Sequence, residues 1–261
     1  MRLRVVKASA GLQWAREGVR TFGKQPLALS GLFFLFMAMM SVVGMLPVIG
    51  LPLAMTLLPT ATLGLMAASR EAQAGRFPMP LILFVGLRSG RVQALALLKL
   101  GMLYGAGFLM ALGASALLDS GAFARLYLGG QMPTAEVLES ADLRHAMWLF
   151  MGLHLPLSLT FWHAPALVFW DGVPLAKSLF FSWMACWRNF WAFTVFGLVW
   201  MAAIMGAVVT VVWLSSLLGN PTLGATLLVP AMLLLASMFF SSLYPSYAGC
   251  FEPQGTAKAE Q

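Results

Sequence analysis

Residues 27–46 read LALSGLFFLFMAMMSVVGML, twenty consecutive positions without a charged side chain. At about 1.5 Å of rise per residue such a run covers about 30 Å, the thickness of a bilayer's hydrocarbon core. Lipid offers no partner to backbone N–H and C=O groups, so a segment that crosses it alone must be helical. This stretch decides the fold class: an all-α, polytopic membrane helix bundle. Pro47, Gly50 and Pro52 then interrupt the pattern, and a second uncharged run continues to Ser69. The two runs predict antiparallel helices joined by a very short turn.

Four more apolar stretches complete a prediction of six transmembrane helices, at about 27–46, 51–69, 92–118, 147–170, 190–218 and 223–247. The composition of the whole chain agrees. Of 261 residues 60% are hydrophobic and 10% charged, with a mean hydropathy of +0.84, whereas soluble domains carry about 25% charged residues. A soluble globule is excluded, because the chain has too little polar surface to wet one.

Charge orients the bundle, since Lys and Arg are retained on the cytoplasmic side. Arg2, Arg4, Lys7, Arg16, Arg20 and Lys24 precede the first span, and Arg70, Arg76, Arg88, Arg91 and Lys99 lie around the second connection. Lys177, Arg188 and Lys258 follow, while Arg125 and Arg144 share residues 119–146 with Asp119, Glu136, Glu139 and Asp142. Fourteen of the 16 basic residues thus fall on one side. The expected organisation is a cytoplasmic amphipathic N-terminal helix over 1–26, a six-helix domain over 27–248 with an outward loop at 119–146, and a cytoplasmic tail over 249–261. The net charge of +7 is a consequence of topology, so no nucleic-acid partner is expected. The first run is long enough to span and is read as an uncleaved anchor. Cys186 and Cys250 have neither metal-ligand nor disulfide-framework spacing.

Two basic segments have the pattern of helices lying in the headgroup plane. In 9–24, Leu12, Ala15, Val19 and Phe22 recur at helical spacing, with Arg16, Glu17, Arg20 and Lys24 on other faces. In 175–190, Phe180, Trp183, Trp187 and then Trp191 form one stripe, with Lys177, Ser178, Ser182 and Asn189 elsewhere. The basic residues expected at lipid headgroups are Arg16, Arg20, Lys24, Arg88, Arg91, Lys177 and Arg188. Anionic membrane lipids are the expected partners, and nothing in the sequence identifies a protein partner. Leu51-Pro52-Leu53-Ala54-Met55-Thr56 recurs as Leu155-Pro156-Leu157-Ser158-Leu159-Thr160, which points to repeated units of interfacial helix, outward span and inward span.

Ionisable groups within a bilayer are costly and mark functional sites. The chain offers His154, His163 and Lys99 as a candidate intramembrane polar site, and no carboxylate deep in any span. The histidines are nine residues apart, nearly opposite on one helix, and cannot share a metal from it. Lys99 is placed to snorkel to the headgroups. No metal site, cofactor motif or Walker loop is present, and the missing carboxylate speaks against cation-coupled transport. Ser115 in Gly113-Ala114-Ser115-Ala116 resembles the nucleophile motif of rhomboid proteases, but the final Gly is absent and helix packing explains the small residues. The expectation is a non-enzymatic integral protein, a scaffold or lipid-interacting component of the envelope. The alternative is a channel or facilitator for a small or lipidic solute, using the His154 and His163 region and the prolines beside it.

Pro165-Ala166-Leu167-Val168 with Trp170, then Lys177-Ser178-Leu179-Phe180, Ser182 and Arg188-Asn189, resembles a family of uncharacterised proteobacterial six-span inner-membrane proteins. Trp14, Phe22 and Pro26 match the first interfacial segment. The pattern is also distantly similar to the membrane domain associated with glycerophosphodiester phosphodiesterases. The resemblance implies a bacterial inner-membrane location and no reaction.

Overall fold

The computed structural model describes residues 2–128 and 134–252. Residues 129–133 of the expected outward loop and the tail from 253 onward, Lys258 included, lie outside the described residues. The fold is helical throughout, apart from a two-residue antiparallel ladder between β1 (Arg2–Leu3) and β2 (Phe251–Glu252).

The helices are α1 (Ser9–Lys24), α2 (Pro26–Gly44), α3 (Gly50–Gln73), α4 (Arg91–Asp119), α5 (Ala122–Tyr127), α6 (Ala135–Glu139), α7 (Ala141–Phe161), α8 (Ala164–Trp170), α9 (Leu175–Arg188), α10 (Phe190–Leu217), α11 (Pro221–Ser241) and α12 (Leu243–Cys250). Among the described residues five segments are long and apolar enough to cross a membrane: Pro26–Gly44, Gly50–Gln73, Arg91–Asp119, Phe190–Leu217 and Thr226–Cys250. The stretch expected to span at 147–170 is not one helix. It begins earlier, at Ala141, breaks at Trp162 and His163, and resumes as α8. Proline explains the restart, since Pro165 lies in the first turn of α8, where its missing N–H costs nothing. The last apolar stretch breaks in the same manner at Ser242, with Pro245 in the first turn of α12.

The α3 helix is the hub, packing on α2, α4, α1 and α11, while α4 pairs with α7 and α10 with α11. Small residues set these distances. A side chain at Gly101 of α4 would collide with the Thr56 carbonyl of α3, and one at Gly64 would meet the backbone of Leu83. Lipid tails are as apolar as leucine, so helices in a bilayer associate through such close packing rather than through a hydrophobic drive. The two matched hexapeptides adopt the same local bond: Thr56 Oγ1 donates to the Pro52 carbonyl and Thr160 Oγ1 to the Pro156 carbonyl, each at 2.8 Å.

Helices α4 and α10 have 29 and 28 residues. At about 1.5 Å per residue both exceed a 30 Å core by about 12 Å. Against the starting ends of α4 and α10 and the final turns of α3 pack α1, α8, α9 and α12, forming a layer of short helices at one end of the bundle. That layer carries the candidate site.

Candidate functional site: the basic layer of short helices

Both basic segments are helical, α1 over Ser9–Lys24 and α9 over Leu175–Arg188, and their buried faces follow the apolar stripes only in part. In α1 the residues turned inward are Gly11, Trp14, Ala15, Gly18, Thr21 and Phe22, whereas Val19 is exposed and Leu12 only half-buried. A Cβ at Gly11 would strike the Ala192 carbonyl, and one at Gly18 the backbone of Ser242. This helix therefore seats on α10, α11 and α12 through its small residues. In α9 the inward face is Ser178, Ser182, Ala185 and Cys186, continued by Asn189, while Phe180, Trp187, Phe190 and Trp191 stand exposed. Trp183 and Trp187 stack at 6.0 Å. In α9 the bulky apolar side chains look away from the protein, as they do where the solvent is lipid, whereas in α1 Trp14 and Phe22 are turned inward.

The small polar face of α9 is wired into the layer by hydrogen bonds. Ser182 Oγ accepts from the His163 backbone N–H at 2.9 Å and donates to the Leu159 carbonyl at 3.1 Å, so it bridges the break between α7 and α8. His163 is fully buried, with Nε2 3.2 Å from Ser246 Oγ on α12 and its ring against Phe193, Tyr247 and Phe251. Asn189, at the junction of α9 and α10, accepts from the Val6 N–H at 2.8 Å and donates to the carbonyls of Arg4 and Ala185 at 3.0 Å each. One side chain thus ties the N-terminal strand segment to the start of α10.

His154 lies elsewhere. Its ring stacks on Phe150 with centroids 5.1 Å apart, meets Phe108 edge-on, and places Nε2 3.2 Å from Ser158 Oγ. The helix break and the two separate sets of partners keep His154 and His163 apart, and the structure does not join them into one polar site. Lys99 is exposed on α4. Ser115 Oγ is buried and donates to the Leu112 carbonyl at 2.7 Å, with no hydrogen bond to His154. A cavity of about 180 Å³ lies between α3, α4, α7 and α11, lined by Pro59, Thr62, Tyr104, Ser158 and Trp162 among others; His163 does not line it.

Arg16, Arg20, Lys24, Arg88, Arg91, Lys177 and Arg188 are all exposed. They lie on α1 and α9 and around the start of α4, elements that meet in the layer. Lys24 Nζ donates to the Gln73 carbonyl at the end of α3, and Gln93 Nε2 reaches the Phe169 carbonyl on α8. The Arg70 guanidinium sits 5.5 Å above the Trp170 ring, beside the hydrogen bond from the Tyr247 hydroxyl to Asp171. Arg76 pairs with Glu71, and that carboxylate holds the guanidinium above its usual range. Asn189, Ser182, Ser246 and Trp200 hold no place among the residues sequence reasoning assigned to a site. For Ser182 and Asn189 the signal was spacing, since Ser178, Ser182, Ala185 and Asn189 recur along one side of a helix as the aromatics do along the other; Ser246 and Trp200 carried none.

No family model matches the chain, and no solved structure matches it. It is 37% identical over 257 residues to a protein of Burkholderia thailandensis described as a "Probable inner membrane protein", an alignment covering 97% of this chain and 95% of that one. With its apolar helices and an identity of this level over nearly the full length, the chain belongs to the same family of membrane proteins.

Proposed function

We propose that this is a non-enzymatic integral protein of the bacterial inner membrane, crossing six times with both termini cytoplasmic, and acting as a lipid-interacting scaffold of the envelope. The observation that carries the reading is the layer itself: seven exposed basic residues and an exposed aromatic ridge surround one end of an apolar bundle. Cations attract anionic headgroups, by about 1 kcal/mol per residue near the surface, and Trp rings favour the same boundary.

The sixth crossing is assigned to α7. Its 21 residues reach about 31 Å, and it packs along α4 and ends at the basic layer from which α4 starts. If α4 crosses, α7 must return. The name of the Burkholderia relative supports the inner-membrane assignment.

Impermeant thiol labelling of whole cells tests the topology, with Ser9→Cys and Glu136→Cys placed singly in a Cys186→Ala, Cys250→Ala background. Labelling is expected at 136 and not at 9; the reverse pattern inverts the orientation, and labelling of both removes the odd number of crossings between the two positions, and with it the six-span arrangement. The 180 Å³ cavity keeps a second reading in play, a facilitator for a small or lipidic solute. Solute flux through liposomes containing the purified protein, abolished by Ser158→Phe, would replace the scaffold with that reading.

A further inference from the structure

A groove of about 540 Å³ runs between α1 and α10, with Leu12, Val19, Trp200 and Ala203 along its walls and Arg16 and Arg20 at its edge. Trp200 is 5% exposed, so that it forms the wall of the groove chiefly through one edge of its ring. Arg16 and Arg20, one helical turn apart and both exposed, form no ion pair among the described residues; Glu17 is the one carboxylate lining the groove. Such a site combines apolar walls with an excess of positive charge at the rim. Its depth matters as much. Trp200 is 17 residues from Leu217, the far end of α10, which is about 26 Å along the helix and so close to the inner edge of a 30 Å core.

We propose that this groove is a binding site for one anionic phospholipid. The phosphate sits between the Arg16 and Arg20 guanidinium groups, whose planar forks match phosphate oxygens. The glycerol-ester region lies against the Leu12 and Trp200 walls, and an acyl chain continues along the exposed apolar face of α10 beyond Ala203, past Ile204. The occupant is an anionic lipid rather than a zwitterionic one because the rim carries two cations against one anion. This inference rests on the lipid-interacting reading above and narrows it to a single locus.

The test uses the full-length protein in neutral micelles, with retained lipid counted by native mass spectrometry during titration with phosphatidylglycerol or phosphatidylcholine. Wild type is expected to retain one phosphatidylglycerol in preference to phosphatidylcholine. Arg16→Gln with Arg20→Gln should weaken that retention on the order of 25-fold, two increments of about 1 kcal/mol converted at 1.4 kcal/mol per tenfold. Ala203→Phe fills the groove without changing charge and should abolish the retained lipid, while Arg125→Gln with Arg144→Gln, exposed residues of the 119–146 stretch away from the layer, should leave affinity within about twofold. Thermal unfolding of each variant establishes that it remains folded. Equal losses in the two arginine pairs, with none in Ala203→Phe, overturn the groove and leave the general attraction to anionic lipid standing. Equal uptake of both lipids by wild type overturns the groove and the lipid-interacting reading together.

Discussion

The layer of short helices and the far ends of the long spans obey different rules of association. In the most apolar window of α10 only 11% of residues are buried within the chain, against 56% for α3. Beyond Trp200, α10 presents Met201, Ile204, Met205, Val209 and Val212 to its surroundings, and nothing lies near Gly206. In the layer the reverse holds: Gly11 and Gly18 touch backbone, and Ser182, Asn189 and Ser246 are each buried and hydrogen-bonded. The membrane confines the long spans to a direction, whereas the layer specifies which helix meets which. Register in this fold is therefore expected to live in the small and polar residues at the basic end.

The strongest way to break that comparison is to overfill each region equally. Gly11→Leu drives a side chain into the Ala192 carbonyl and the Phe196 backbone, where neither can retreat without moving α10. Overpacking costs about 1–3 kcal/mol and sometimes more, and a loss of at least 3 kcal/mol is expected here. Gly206→Leu meets open space and removes a glycine from a helix interior, so it should be neutral or stabilising by up to about 1 kcal/mol. Thermal unfolding of both variants in micelles decides it, and equal losses would show that α10 is packed along its whole length.

A smaller effect sharpens the same point. Asn189→Ala strips the Val6 N–H of its acceptor and the Arg4 carbonyl of its donor, both near the pairing of β1 with β2. Leaving a buried group unpaired costs about 1–3 kcal/mol, and about 2 kcal/mol is expected. Hydrogen exchange should accelerate at Val6 and along α1, with the amides of α2 and α7 unchanged. Faster exchange throughout the bundle would mean that the layer and the spans unfold as one unit.

The helical, membrane-spanning character was legible in residues 27–46 because lipid leaves a charge-free run of twenty residues no other structure. Boundaries were legible where a proline or glycine turn followed, as at Pro47 and Gly50. The break at Trp162 and His163 was not, since Pro165 is equally at home within a kinked membrane helix, and only the bond from the His163 N–H to Ser182 distinguishes a new helix from a bend. The apolar stripes divide differently in the two basic helices: in α9 Phe180, Trp187 and the following Trp191 stand exposed and the inward side is Ser and Ala, whereas in α1 Ala15 and Phe22 are buried, Leu12 is half-buried and Val19 exposed. Hydrophobic periodicity identifies the side that avoids water, and next to a bilayer that side can point to lipid as well as to protein. The exposure of the seven basic residues followed from charge alone, but the groove between Arg16, Arg20 and Trp200 depends on α1 and α10 meeting across about 180 residues of chain, which no local pattern encodes.

The smallest expected effect separates lipid-facing from protein-facing aromatics within the layer. Trp187 is 64% exposed and touches the Trp183 ring, whereas Trp14 is 3% exposed and packs against Phe193 at 5.2 Å. Trp187→Ser removes one stacked pair, worth about 0.5–1.5 kcal/mol when its rings are desolvated. In micelles the outer ring face gains little from the chain, so the loss should stay below about 0.5 kcal/mol. In bilayers the same substitution withdraws an interfacial anchor, and the loss should rise toward 1 kcal/mol. Unfolding measured in both environments supplies the difference. A loss in micelles as large as that of Asn189→Ala would place the α9 aromatics in a protein contact, and the outward-facing ridge would then be an interface between proteins rather than with lipid.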